Sequence, residues 1–81
     1  MDTENLTFGQ KAVGLTFNPS NDTDVDTVKR QYAAIIDMLD ELRRTAAFLG
    51  ERSEKGRLAS IAITEAQTAQ MWAVKALTWK D

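Results

Sequence analysis

Apolar residues recur at helical spacing along two long stretches of this chain and lose that order elsewhere. Between residues 21 and 49, Val25, Val28, Tyr32, Ile35, Leu39, Leu42, Ala46 and Leu49 are separated by alternating steps of three and four. Such an unbroken heptad seam predicts a helix over 21–49, on the order of 40 Å long at about 1.5 Å per residue. Ser20, Asn21 or Asp22 can cap its start, and Asp22, Asp24 and Asp26 suit the positive end of the helix dipole. Arg43 and Arg44 suit the negative end, and Gly50 supplies a residue for the left-handed stop. A second stripe, Ala59, Ala62, Ala66, Ala69, Ala73 and Ala76, predicts a helix over 57–79. Six alanines on one face let another helix come closer than the usual ~8–10 Å. Leu58, Ile61, Met71, Trp72, Val74, Leu77 and Trp79 flank that face. Residues 50–57 are a polar connection, too short for anything but an antiparallel pairing.

Residues 1–20 do not sustain a period. Leu6 and Phe8, then Val13, Leu15 and Phe17, alternate with polar residues, and Gly9, Gly14 and Pro19 interrupt them. This segment reads as an ordered arm, with one helical turn after Thr3. Asn18-Pro19-Ser20 ends it, because a residue before proline is pushed out of the α region. The expected fold is all-α: one domain over 1–81, an arm followed by an antiparallel helical hairpin. Two paired helices bury one seam each, which leaves Ile36, Met38, Phe48, Trp72 and Trp79 on other faces. Either the arm folds back over them or they meet other copies of the chain. A chain of 81 residues without a disulfide or metal has a marginal core, so a homo-oligomer is expected.

Composition then narrows the chemistry. Cysteine and histidine are both zero, which removes disulfides, thiolate or imidazole metal sites, and Cys- or His-based catalysis. Ten Lys and Arg against 12 Asp and Glu give a net charge of −2, which argues against DNA or RNA as partner. No apolar run approaches the ~18–20 residues of a membrane span, and Met1-Asp2-Thr3-Glu4-Asn5 is not the basic start of a signal peptide. A soluble intracellular protein is expected.

Four groups of residues could carry chemistry. Asp22-Thr23-Asp24-Val25-Asp26 opens like a calcium loop, but Thr27 and Ala33 stand where the loop needs Gly and Glu. Asp37, Asp40 and Glu41 read as a solvated flank pairing with cations such as Arg44, not as an acid–base pair. Arg43, Arg44, Arg52, Lys55 and Arg57 are half of the 10 Lys and Arg residues, gathered around the interhelical turn. They are either a solvated turn or an anion pocket, in which guanidinium forks and the N-terminus of the second helix grip phosphate. The arm adds Phe8, Lys11, Phe17, Asn18 and Ser20. Either phenylalanine can stack on a nucleobase or plug the apolar patch, and Asn18 can bond an adenine edge. No phosphate-binding Gly-rich loop is present.

Gly14-Leu15-Thr16-Phe17-Asn18-Pro19-Ser20 before a heptad helix, together with the run from Arg57 to Ala76 that contains Met71-Trp72-Ala73-Val74-Lys75-Ala76, resembles the phage helical-hairpin family of cyclic-nucleotide sponges. These proteins counter the bacterial CBASS and Thoeris immune systems. The resemblance covers about residues 8–78. It implies a compact hexamer that binds cyclic dinucleotides, cyclic trinucleotides or cyclic ADP-ribose isomers between protomers, in the cytoplasm of an infected bacterial cell. By the same resemblance, Phe8 and Asn18 match the base-stacking and polar pair, and Ser20 a phosphate-binding hydroxyl. Arg57 matches a phosphate-contacting arginine, and Lys11 a lysine that contacts phosphate in some members. The dinucleotide-binding branch has Tyr on the arm and a basic residue before the capping hydroxyl. Phe8 and Asn18-Pro19 stand there instead, which leans the ligand toward the Thoeris signal.

The expected function is sequestration without cleavage and without a cofactor or catalytic residue. A homo-oligomeric coiled-coil adaptor for a partner protein is the competing reading, since seam and alanine stripe serve both. A degradative phosphodiesterase would need a metal site that the sequence does not offer. Phe8 and Asn18 belong to neither seam nor stripe, so alanine variants of both are expected to keep their helicity and oligomeric mass.

Overall fold

The computed structural model describes residues 5–50 and 54–81. Among them lie three helices and no strand: α1 over Phe8–Ala12, α2 over Thr23–Phe48 and α3 over Glu54–Thr78. Of the three candidate caps for α2, Asp22 takes the role, its carboxylate accepting the Asp24 N–H at 2.8 Å. Asp24 and Asp26 sit in the first turn, where the dipole favours them. At the other end Gly50 adopts φ +74° and donates its N–H to Ala47 O at 3.0 Å. That left-handed stop suits glycine, which has no Cβ to clash. The second long helix starts at Glu54, three residues before Arg57, so the connection is shorter than the 50–57 expected. Residues 51–53, and Arg52 with them, lie outside the described residues.

The arm's α-helical turn is at 8–12, and residues 1–4 lie outside the described residues. Thr7 builds a reciprocal cap. Its Oγ1 accepts the Gln10 N–H at 3.1 Å, and Gln10 Oε1 accepts the Thr7 N–H at 3.0 Å. Helix α1 docks on α2 at Gly9, which is buried. A Cβ there would stand 2.1 Å from Ala33 O, so only glycine permits the approach. The Gly9 N–H donates to Asp37 Oδ1 at 2.7 Å. Gly14, at φ +64°, then turns the chain between two buried residues, Val13 and Leu15.

The core is therefore shared by all three segments. Val13, Leu15, Ala33, Ile36 and Ile63 are buried together, with Leu6, Ala12, Tyr32, Leu39 and Ala66 packed around them. This corrects the expected seam. Of its eight residues only Val25 and Ala46 are buried, while Ile35, Leu42 and Leu49 are 51%, 40% and 63% exposed. Burial runs instead along Val25, Lys29, Ala33, Ile36 and Asp40, mostly one residue off the seam. The cause is geometric: α2 has two neighbours, α3 and the arm, and the most enclosed line lies between them. Ile36, expected on a spare face, is fully buried. Met38, Phe48, Trp72 and Trp79 do remain exposed. The alanine stripe is only partly used, with Ala59 buried and Ala69 and Ala76 exposed. No helix among the described residues is long and apolar enough to cross a membrane.

Candidate functional site

The loop between the arm and α2 is held by its own side chains. Asn18 Nδ2 donates to Asp22 O at 3.0 Å and to Asp26 Oδ1 at 3.1 Å. Its Oδ1 accepts the Ser20 hydroxyl at 2.6 Å, and Ser20 Oγ accepts the Asp22 N–H at 3.1 Å. Both N–H bonds of the Asn18 amide are thus committed, and Oδ1 keeps one lone pair free. Asn18 and Ser20 therefore organise the start of α2 as well as facing outward.

Beneath the loop, Lys29 is buried at 5% exposure and its ammonium donates to Gly14 O at 2.9 Å and to Phe17 O. Its Nζ also lies 5.8 Å from the centre of the Phe17 ring. Burial pushes the Lys29 amine below its ordinary range, with Asp26 opposing part of that shift. Phe17 itself is 70% exposed. Phe17, Asn18, Ser20 and Lys29 share a recess of about 260 Å³ with Val74 and Thr78 of α3.

Phe8 lies elsewhere, on α1 against the middle of the hairpin. The Arg43 guanidinium carbon is 5.1 Å from the centre of its ring. Arg43 Nε pairs with Asp40 Oδ1 at 2.9 Å and its Nη1 reaches Ser60 Oγ at 3.5 Å. Asp40 also holds Arg44, at 3.1 Å through Oδ2, which is the pair expected from their spacing. Arg44 in turn reaches Glu41 Oε2 at 3.2 Å. A recess of about 470 Å³ opens here, lined by Thr7, Phe8, Asp37, Asp40, Glu41 and Arg44. Lys11 stands exposed in the last turn of α1.

Arg57 lies in the first turns of α3, exposed, and engages Glu54 through Nε and through Nη2 at 3.2 Å. It lines a groove of about 320 Å³ with Ser60, Ile61, Thr64 and Glu65. Ser60 is the link between the two cationic sets, since it lines this groove and accepts from Arg43.

Within one chain, then, Phe17, Asn18 and Ser20 come together at the arm–α2 loop, while Phe8 and Arg57 belong to separate recesses. Lys29 and Asp40 escape a reading by periodicity because a charged residue at a buried helix position looks solvated until a neighbour is placed over it. The sequence signals were the membership of Arg43 in the basic group around the turn and of Asp40 in the acidic group paired with Arg44.

Fold and recesses define a small all-helical hairpin module with a docked arm and open recesses along its sides. Residues 10–78 match the family model described as Acb2/Tad1, hairpin domain. The chain belongs to that family, the phage cyclic-nucleotide sponges, which are binding proteins and not enzymes. The matched span includes every candidate ligand residue except Phe8. No curated protein and no solved structure matches the chain.

Proposed function

We propose that this protein is a phage anti-defence sponge that binds cyclic nucleotide immune messengers, cyclic ADP-ribose isomers or cyclic di- and trinucleotides, and holds them intact in the cytoplasm of the infected host. The observation that carries the reading is the family match over residues 10–78, which takes in both long helices and the arm–α2 loop. No bond is made or broken. Binding lowers the free messenger below the threshold of its effector, so affinity and abundance set the outcome.

In this reading Phe8 and Phe17 offer base-stacking faces, Asn18 a polar contact, and Ser20, Lys11 and Arg57 contacts to phosphate. Asn18 meets the ligand as an acceptor, through the lone pair left on Oδ1, and so suits an amine edge such as that of adenine. Arg57 must leave Glu54, and an exposed ion pair gives way easily, being worth about 0.2–1 kcal/mol. The separation of Phe8 and Arg57 from the arm–α2 loop supports a site completed by a second copy. The exposed Ile35, Met38, Leu42, Ile61, Trp72 and Trp79 supply an apolar surface for such copies. A hexamer is the assembly that the resemblance implies.

An adaptor that holds a partner protein is the second reading, favoured by Phe48 at 89% exposure near the hairpin tip. Titration calorimetry against cyclic ADP-ribose isomers and cyclic di- and trinucleotides separates the two. A sponge binds at least one and, after heat denaturation, returns it unaltered on chromatography. Absence of binding to any of them sinks the proposal, and recovery of a changed product makes the protein an enzyme.

A further inference from the structure

Arg43 has an arrangement that an incidental surface arginine lacks. It is tied to all three helices at once: by the ion pair to Asp40 on its own helix, by the bond to Ser60 of α3, and by its position over the ring of Phe8 on α1. Asp40 is buried at 7% exposure, so the guanidinium is anchored by a carboxylate that cannot swing away. The backbone beside the ring is fixed as well, since Gly9 is pressed against Ala33 and bonded to Asp37. The guanidinium lies over one face of the ring, and Phe8 is still 43% exposed, so ring surface remains for stacking.

We infer that Arg43 is a positioning residue for the nucleotide site: anchored by Asp40, it holds the Phe8 ring so that its exposed surface is presented to a base of the ligand. This rests on the reading of Phe8 as a stacking residue. Arg43 acts through Phe8 and not by touching the ligand, so its contribution exists only while the ring is there.

A double-mutant cycle reads that dependence. The variants are Arg43→Gln, Arg43→Lys, Phe8→Ala and the pair Phe8→Ala/Arg43→Gln, titrated with cyclic ADP-ribose and with cyclic diadenylate. Circular dichroism confirms helicity, and Arg43→Lys keeps a cation beside Asp40 should the glutamine variant unfold. Arg43→Gln should weaken binding by about two- to fivefold, the scale of an exposed cation–π contact. Arg43→Lys should fall between Arg43→Gln and the parent. Phe8→Ala should weaken binding by about ten- to a hundredfold, the scale of one base–aromatic stack, and adding Arg43→Gln to it should cost nothing more. Parent-like binding by both Arg43 variants overturns the inference. So does a loss that persists undiminished in the Phe8→Ala background, which would make Arg43 a direct ligand contact. In either case the Phe8→Ala loss stays and the stacking reading stands. Parent-like binding by Phe8→Ala instead removes the stacking reading, and a parent that binds neither probe removes it too; the inference falls with it.

Discussion

Asn18 shows how one side chain can belong to the fold and to the site together. Its amide braces the entry to α2 by donating to Asp22 O and Asp26 Oδ1, and its oxygen accepts the Ser20 hydroxyl. Asn18→Ala should therefore lower stability by about 0.5–1.5 kcal/mol per hydrogen bond lost, in addition to weakening ligand binding. Thermal unfolding of the free protein checks the first effect. An unchanged midpoint would show that the loop holds without the amide. Arg57 poses the opposite case, because its partner Glu54 competes with any phosphate. Glu54→Gln should lower the stability of the free protein by no more than about 1 kcal/mol, as for an exposed pair, and tighten nucleotide binding. Weaker binding in that variant would place Arg57 outside the site.

At the scale of elements, the arm is fastened to α2 at two points. One is the contact of Gly9 with Ala33 and Asp37, and the other is Lys29 beneath the turn. The second is sensitive to pH in a direction that follows from burial. The Lys29 amine titrates below its ordinary 10.5, because burial disfavours the charged form more than Asp26 restores it. Between the lowered value and 10.5 the unfolded chain binds more protons than the folded one, so this group's contribution to stability rises with pH. The neutral amine still has two N–H bonds for Gly14 O and Phe17 O, so the arm stays fastened. Urea unfolding at about pH 7 and about pH 10 should show the parent gaining stability relative to Lys29→Met at the higher pH. A relative loss would mean that the ammonium charge, and not the pair of hydrogen bonds, holds the turn.

The whole molecule leaves a broad apolar surface bare. Ile35, Met38 and Leu42 on α2, and Ile61, Met71 and Trp72 on α3, are at least 40% exposed. In the proposed assembly, Ala69, exposed on α3, is where a second copy comes close. Ala69→Leu should leave the protomer's helicity intact and lower the oligomer's stability by about 1–3 kcal/mol per overpacked contact. Light scattering across a concentration series reads this. A 9.0 kDa particle for the parent at micromolar concentration, or the same mass for parent and variant under dilution, would remove the assembly from the proposed function.

Local rules were enough for the existence of both long helices and for the ends of α2. The Asp at its start and Gly50 at its stop act within a few residues of the chain, and both stand where their own chemistry requires. The pair Asp40–Arg44 is of the same kind, one helical turn apart. Which side of α2 is buried was not decided locally. Periodicity marks an apolar stripe but carries no record of how many neighbours will share it, so the seam through Ile35 and Leu42 was displaced once the arm docked. The site was legible to the same degree. Phe17, Asn18 and Ser20 are neighbours in sequence and stay together, whereas Phe8, Arg43 and Ser60 meet only because Gly9 lets α1 lie against α2 and the hairpin brings α3 alongside. Contacts between residues far apart in the chain depend on the close approach of backbones, and that is settled by packing in three dimensions, not by spacing along the sequence.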